Sequence, residues 1–309
     1  MPTRTALLIH NPGAGSNAEP SVESYAEALA STGTEIQIHR LAEGEDAATI
    51  ARTALQAGVK WIAVAGGDGT VETVAAELVG GEVPLGVIPA GTYNNFALSL
   101  SLPKDPLEAC AAIRAGRVKK MDVGFANGRT FFECAGAGLD AALFPLGEEI
   151  KGGRFFHWLT LLQRAWQYPR QEFHLTFDRP VGEAAQGHHA RHHLRRFRQT
   201  TLRISALMVT ASNGPYYGMN FTVAPGARLD DGLLTVNVFK RYSKWELMRH
   251  FMSISYGRRE YCPKAISFRV RTVEISGPHR LHAHLDGTPF KGWPLKIECQ
   301  PQALPVFVP

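Results

Sequence analysis

Short apolar runs alternate with helix-forming stretches along the first 124 residues. The runs that predict strands are residues 6–10, 35–40, 61–65 and 84–89. Ser21 and Asp46 stand where a helix N-cap is expected. Asp105 is followed by a proline and, three positions on, by a glutamate, which is a clear helix start. Strands separated by helices predict βαβ units and a parallel sheet.

The pattern changes after Gly124, where strand-like runs dominate. These runs are residues 130–134, 173–177, 202–209, 220–224, 233–240, 266–275, 282–285 and 295–299. Two helical stretches, residues 155–168 and 244–252, interrupt them. Many strands with few helices predict an antiparallel β-sandwich or a distorted barrel.

We therefore predict two domains with a ligand cleft between them. Residues 1–124 form a Rossmann-like parallel α/β domain, and residues 125–300 form a mainly-β antiparallel sandwich domain. Residues 301–309 are left open, with a return strand to the first domain as one option.

The composition is that of a soluble globular protein, with 45% hydrophobic and 20% charged residues. No apolar run approaches the ~20 residues that a membrane-spanning helix needs, and the first ten residues lack a signal-peptide cleavage site. The cysteines are widely spaced, without a CxxC pair: Cys110, Cys134, Cys262 and Cys299. These features predict a cytoplasmic protein with reduced, mostly buried thiols.

The net charge of +5 owes much to residues 183–198, which contain four arginines and one glutamate. A local patch of this kind argues against a nucleic-acid surface and for contact with anionic groups. The same segment holds His188, His189, His192 and His193, whose i, i+4 spacing would permit a metal on a helix. We prefer contact with anionic lipid headgroups at a membrane surface, and a disordered loop fits equally well.

Three glycine-bearing loops follow strands of the predicted parallel sheet. Gly66, Gly67, Asp68, Gly69 and Thr70 form the most specific of them. Asn11 opens the first loop, and the third runs from Gly91 through Thr92 to Asn94. Singly, each could be ordinary turn chemistry with a helix cap, but strands of a parallel sheet end at one edge, where ligands bind. Backbone N–H groups there suit a polyanion, and Asp68 would repel phosphate unless it holds Mg²⁺ or accepts a proton.

The sequence resembles the diacylglycerol kinase and sphingosine kinase catalytic-domain superfamily, especially its bacterial lipid kinases. The elements in family order are NPGAG, AGGDGTV, PLGVIPAGTYNNFA, VKKMDVG, FFECAGAGLDA, SNG, APGARLDDGLLTV and HLDGTP. GGDGT also occurs in NAD kinases and phosphofructokinases, so it does not discriminate among these families. The later DDGLL and LDG elements favour the lipid kinases.

The resemblance implies a nucleotide-binding domain over residues 1–124 and a lipid-substrate domain over residues 125–300. It implies that ATP is bound by Asn11, Gly66, Gly67, Asp68, Gly69, Thr70, Thr92 and Asn94. It also implies a Mg²⁺ site at which Asp231 supplies a carboxylate beside the backbone carbonyls of Arg228 and Leu233.

The sequence departs from the family pattern at several carboxylates. The family's Asp-Gly-Glu is Asp286, Gly287 and Thr288 here, so Asp286 or Asp68 would have to accept the proton. Asn95 stands where the family has an aspartate. The leading hypothesis is an ATP- and Mg²⁺-dependent lipid kinase acting peripherally at the inner membrane face. The alternative is a catalytically weak nucleotide- or lipid-binding regulator on the same fold.

Three questions are left open by the sequence. The acceptor could be diacylglycerol, a sphingoid base, phosphatidylglycerol or a soluble alcohol. The apolar helix predicted over residues 155–168 fits a core helix better than a wall of an acyl-chain cavity. The oligomeric state is open, with a homodimer as one option.

Overall fold

The chain divides into two compact units, each with its own architecture. The computed structural model describes residues 4–14, 20–30, 34–142, 163, 167–186, 194, 196–218, 220–240 and 265–309. Unit 1 comprises Met1–Val123 with Pro301–Pro309, and unit 2 comprises Gly124–Gln300. Unit 1 is parallel α/β and unit 2 is antiparallel β, which confirms the predicted fold class.

Unit 1 is built on a parallel sheet. Its strands are β1 (Arg4–His10), β2 (Thr34–Arg40), β3 (Ile62–Gly66) and β4 (Leu85–Pro89), in the spatial order β2–β1–β3–β4. Its helices are α1 (Val22–Leu29), α2 (Ala47–Gln56), α3 (Asp68–Leu78), α4 (Asn95–Ser99) and α5 (Pro106–Ala115). Every residue of β3 and β4 is buried, as expected for central parallel strands covered on both faces.

The predicted helix starts are confirmed. The Ser21 hydroxyl accepts the N–H of Ser24 at 3.3 Å, and the Asp46 carboxylate accepts the N–H of Ala48 at 3.1 Å. Asp105 accepts two N–H groups of the first turn of α5. Helix α3 begins at Asp68, because Gly67 is the N-cap and the glycine-rich loop continues as the first helical turn.

Unit 2 is dominated by short strands. Its elements are β5 (Val118–Ala126, entering from unit 1), β6 (Arg129–Phe131), β7 (Cys134–Gly138), β8 (Gln171–Phe177), α6 (Val181–Ala184), β9 (Thr201–Ala206), β10 (Met208–Ser212), β11 (Tyr216–Tyr217), β12 (Phe221–Thr222), β13 (Leu234–Phe239), β14 (Ile266–Val270), β15 (Thr272–Ser276), β16 (Ala283–Leu285), β17 (Thr288–Phe290) and β18 (Leu295–Phe307).

Two antiparallel sheets of unit 2 share one core. Among the described residues, one sheet has the order β14–β13–β10–β7–β16–β17, and the other places β9, β8, β15 and the first part of β18 side by side. The Phe177 ring of the second sheet packs on Phe268 of the first, with ring centroids 4.9 Å apart. Apolar side chains from both sheets form a single buried cluster, which makes unit 2 a β-sandwich.

Several predicted strands differ from the structure. Residues 130–134 contain the end of β6 and the first residue of β7. Residues 202–209 divide into β9 and β10, and residues 266–275 divide into β14 and β15, which lie in different sheets. The strand predicted to end at residue 299 continues as β18, and Val306 pairs with Leu85 of β4 in parallel. The predicted helices over residues 155–168 and 244–252, and the four histidines of residues 188–193, lie outside the described residues except for isolated positions.

Cys110, Cys134 and Cys299 are buried free thiols, as predicted, and Cys262 lies outside the described residues. In the part of the chain that the structure describes, no helix has the length and apolar character needed to cross a bilayer.

Candidate functional site

The three glycine-bearing loops of unit 1 meet at one edge of the parallel sheet. The N–H of Asn11, directly after β1, donates to the carbonyl of Ala65 in β3 at 2.9 Å. The N–H of Ala90, directly after β4, donates to the carbonyl of Gly66 at 3.2 Å. The predicted convergence of the loops is therefore confirmed.

Gly91 is required where the second and third loops touch, and Gly66 has little room beside Thr70 within the second loop. A Cβ on Gly91 would lie 2.4 Å from the Cα of Gly67, closer than atoms can approach. A Cβ on Gly66 would lie 3.2 Å from the Cβ of Thr70. The backbones of the two loops thus pack directly against each other, and any larger residue at position 91 would separate them.

Asn11 ties the first loop to helix α3. Its Nδ2 donates to the Thr70 hydroxyl at 2.8 Å, and its Oδ1 accepts the N–H of Gly13 at 3.0 Å. Two residues predicted to bind a nucleotide are therefore bonded to each other. This contact holds the first loop beside the N-terminus of α3, where first-turn N–H groups have no acceptor within the helix.

Asp68 is the first residue of α3 and also contacts the start of α4. Its Oδ1 accepts the N–H of Phe96 at 3.0 Å. Burial raises the pKa of Asp68, while backbone N–H groups of Asn94, Asn95 and Phe96 partly oppose that shift. The carboxylate thus lies beside the N-termini of two helices, which favour its charged form.

Asn94 shapes the third loop. It adopts a left-handed conformation with φ of 54°, and its side chain accepts the N–H of Gly91 at 2.9 Å and donates to the Gly91 carbonyl at 2.7 Å. Thr92, between them, is exposed, and Asn95 is buried. The Asn94 side chain therefore closes the loop on itself.

In unit 2, Asp286 and Gly287 form the two-residue turn of the β16–β17 hairpin. Leu285 pairs with Thr288, and both turn residues have positive φ, 46° and 79°. An Asp-Gly pair is a preferred sequence for such turns, because aspartate tolerates and glycine readily adopts positive φ. Thr288, which the resemblance matches to a glutamate, is the exposed first residue of β17.

The Asp286 carboxylate holds the segment that enters β7. It accepts the N–H groups of Phe132, Glu133 and Cys134 at 2.7, 2.9 and 2.8 Å. Burial raises the pKa of Asp286 to about 6, although these N–H bonds and the proximity of His284 act in the opposite direction. Three of the roughly four acceptor positions of the carboxylate are thereby occupied.

Asp231 is paired with a cation that the chain itself supplies. The guanidinium group of Arg269 bonds to Asp231 Oδ2, and Asp231 Oδ1 accepts the N–H of Leu233 at 3.1 Å. Arg228 pairs with Asp230 at 3.0 Å. Asp231 is thus bonded to Arg269 and to the N–H of Leu233, and a Mg²⁺ site at Asp231, Arg228 and Leu233 stays a prediction. The described residues contain no group of three His, Cys, Asp or Glu side chains suited to a metal.

Sequence reasoning missed a buried polar pair beside the Asp286 turn. Asp140, just after β7, and His284, in the middle of β16, are joined by a 3.0 Å contact between Oδ2 and Nε2. A histidine between two apolar strand residues would ordinarily be assigned to the core. Its partner is 144 positions away, so no local signal could reveal the pair.

Comparisons with known proteins agree on one family. Residues 5–126 match the model of the diacylglycerol kinase catalytic domain, and residues 161–308 match that of the YegS C-terminal NAD kinase β-sandwich-like domain. A Klebsiella pneumoniae protein named "Probable lipid kinase YegS-like" is 28% identical, covering 98% of this chain and 96% of that protein. A "Diacylglycerol kinase" of Staphylococcus carnosus is 27% identical over 92% of this chain and 88% of its own length.

Solved structures show the same fold. A crystal structure of a diacylglycerol kinase from Bacillus anthracis str. Sterne has a TM-score of 0.69 at 20% identity, covering 100% of this chain and 98% of that one. A second structure from the same organism has a TM-score of 0.73 at 23% identity with the same coverage. At these identities the likeness concerns the architecture.

Proposed function

We infer that this chain, which belongs to the diacylglycerol kinase catalytic-domain family, transfers the γ-phosphate of ATP to the hydroxyl group of a lipid. The observation that carries the inference is the meeting of the three loops at the edge of the parallel sheet, within the segment that matches the catalytic-domain model. Relatives are named as kinases, and no observation favours the binding-only regulator.

Unit 1 would bind the triphosphate of ATP. Residues Gly66–Thr70 place the N-terminus of α3 at the sheet edge, where its helix dipole attracts phosphate. We propose that Asn11, Thr92 and Asn94 complete the binding loops. Mg²⁺ would enter with ATP and neutralise charge on the phosphate oxygens. A Mg²⁺ site formed by Asp231 with the backbone carbonyls of Arg228 and Leu233 stays a prediction, and Asp231 also bonds to Arg269.

The two proposed catalytic carboxylates have different surroundings. Both carboxylates accept backbone N–H groups, but Asp286 belongs to the hairpin turn before Thr288, which favours a role in shaping that turn. Asp68 lies among the proposed phosphate-binding loops. We therefore assign Asp68 the role of the general base that accepts the proton of the lipid hydroxyl. Unit 2, matched by the C-terminal family model, would hold the lipid.

The direct test is transfer of radiolabelled phosphate from ATP to a panel of lipids. The panel contains diacylglycerol, a sphingoid base and phosphatidylglycerol, with glycerol as a soluble alcohol and NAD as a competing acceptor. We expect label in at least one lipid and none in NAD. A folded protein that binds ATP and labels no lipid would contradict the proposal.

Thr288→Glu is expected to raise kcat for lipid phosphorylation by at least about tenfold. The substitution restores a carboxylate at an exposed position next to the Asp286 turn, and a positioned general base contributes about 10²–10⁴-fold to such reactions. Thr201→Glu is the matched control, since Thr201 is also an exposed first residue of a strand. An equal or lower rate in Thr288→Glu would show that the missing glutamate does not limit the reaction.

We also propose peripheral contact with anionic membrane at the cytoplasmic face. Phe197 is 40% exposed and lies between Arg196 and Arg198, both exposed. The double variant Arg196→Gln, Arg198→Gln is expected to weaken binding to phosphatidylglycerol-containing vesicles about 30-fold, from ~1 kcal/mol per charge. Co-sedimentation measures this, with phosphatidylcholine vesicles as the control. Unchanged binding would show that these arginines do not contact the membrane.

A homodimer stays a prediction.

A further inference from the structure

Asp140 and His284 form a buried hydrogen-bonded pair that the proposed reaction does not use. Their side chains are 3% and 0% exposed, and Oδ2 and Nε2 lie 3.0 Å apart. Burying a carboxylate is costly unless it is paired and hydrogen-bonded. The pair therefore needs an explanation beyond filling space.

The tautomer of His284 follows from its second partner. The N–H of Gly287 lies 3.3 Å from His284 Nδ1, and a backbone N–H can only donate. Nδ1 is thus the acceptor and carries no proton. The ring proton is on Nε2, from which it is donated to Asp140. The imidazole therefore links the Asp140 carboxylate to the backbone of the Asp286–Gly287 turn.

The residues around Asp140 and His284 restrict the orientation of the imidazole ring. Gly136, opposite His284 in the sheet, has no room for a side chain, since a Cβ would lie 2.5 Å from both Asp140 Oδ2 and His284 Nε2. On another side, the Tyr217 ring stacks on the imidazole, with centroids 6.0 Å apart and planes 18° apart. The ring orientation is therefore set by packing as well as by hydrogen bonds.

The turn is consequently anchored to both ends of β7. Asp286 accepts N–H groups from Phe132 to Cys134, where β7 begins. Gly287 is held by His284, whose other nitrogen bonds to Asp140, just beyond the end of β7. Thr288 follows directly, at the position that the resemblance associates with the family's catalytic glutamate.

We propose that Asp140 and His284 are positioning residues that fix the Asp286–Gly287–Thr288 turn for the acceptor lipid. The proposal rests on the kinase function proposed above. It differs from a purely stabilising role, because it requires the loss of the Gly287 contact to affect lipid phosphorylation beyond any effect on folding.

Two substitutions distinguish the roles of the two ring nitrogens of His284. His284→Asn retains an acceptor near the position of Nδ1, and His284→Gln retains a donor near Nε2. We expect His284→Gln to lower kcat/KM for the lipid at least tenfold without changing KM for ATP, and His284→Asn to recover much of that loss. His174→Gln is the matched control, since His174 also pairs with a carboxylate, that of Glu172, at a partly exposed site.

Amide hydrogen exchange provides a readout that does not depend on activity. At 20 °C, where each variant is confirmed as folded by circular dichroism, exchange at Gly287 should be at least tenfold faster in His284→Gln than in His284→Asn. Equal exchange in the two variants, or kinetic losses that match between them, would overturn the proposal. If the wild type labels no lipid, the kinase proposal fails while the exchange comparison still decides whether the pair holds the turn.

Discussion

Asp68→Asn is expected to lower kcat for phosphate transfer by about 10²–10⁴-fold, the usual contribution of a positioned general base. The amide keeps the size of the side chain and an oxygen that can accept the N–H of Phe96, so α4 should remain in place. What is lost is the negative charge that can take up a proton. Initial rates with saturating ATP and lipid measure the effect, and ATP binding by calorimetry should change much less.

Asp46→Asn is the matched control for Asp68→Asn. Asp46 also accepts a helix N–H in unit 1, but at an exposed N-cap, where asparagine is an equally good cap. Its activity and stability should match those of the wild type. If Asp68→Asn retained wild-type kcat, the proton acceptor would have to be another group.

Asp286→Ala is expected to lower the free energy of unfolding by about 3–6 kcal/mol. Three backbone N–H groups would lose their acceptor in a part-buried segment, and each such loss costs about 1–3 kcal/mol. Alanine also tolerates the positive φ of this position poorly. Asp286→Asn, which keeps one acceptor oxygen and adopts that φ readily, should be intermediate. Chemical denaturation followed by tryptophan fluorescence measures all three proteins.

Asp230→Ala is the control for this loss. Asp230 lies in unit 2 and pairs with an exposed arginine, so its removal should cost less than about 1 kcal/mol. Equal stabilities of Asp286→Ala and Asp230→Ala would mean that the segment from Phe132 to Cys134 does not depend on the Asp286 carboxylate.

The raised pKa of Asp286 gives the same residue a pH signature. Between its ordinary value of 3.8 and about 6, the folded protein retains a proton that the unfolded chain has released. The stabilisation of the folded state by protonated Asp286 is therefore fully present below pH 4. It is lost as the pH rises through 6. Between pH 4 and 7, the free energy of unfolding of the wild type should fall by on the order of 1–3 kcal/mol relative to that of Asp286→Asn. A constant difference across that range would contradict the assignment.

Local chemistry explains why much of unit 1 was predictable. The caps at Ser21, Asp46 and Asp105 act on N–H groups two or three residues away, so the sequence contains both partners. The convergence of the loops also follows from sequence, because parallel strands must end at a common edge. Family resemblance supplied the kinase hypothesis, and the structure then showed that Asn11 bonds to Thr70.

Unit 2 was harder to predict because its decisive contacts are distant in sequence. Residues 266–275 form one apolar alternation, but the chain passes from one sheet to the other near Arg271, whose carbonyl accepts the N–H of Cys299. The Asp-Gly turn was interpreted through the family motif, although its backbone role is a tight hairpin. The pairing of Asp231 with Arg269 had no counterpart in the sequence pattern.

Sequence alone was sufficient for the alternation of elements in unit 1, the β-rich character of unit 2, the helix caps and the family. These depend on periodicity and on interactions within a few residues. Tertiary structure decided which carboxylates are already bonded: Asp286 to a backbone segment, Asp231 to an arginine, and Asp140 to a buried histidine. The reason is that the state of a carboxylate depends on its burial and on partners that only folding brings within hydrogen-bond distance.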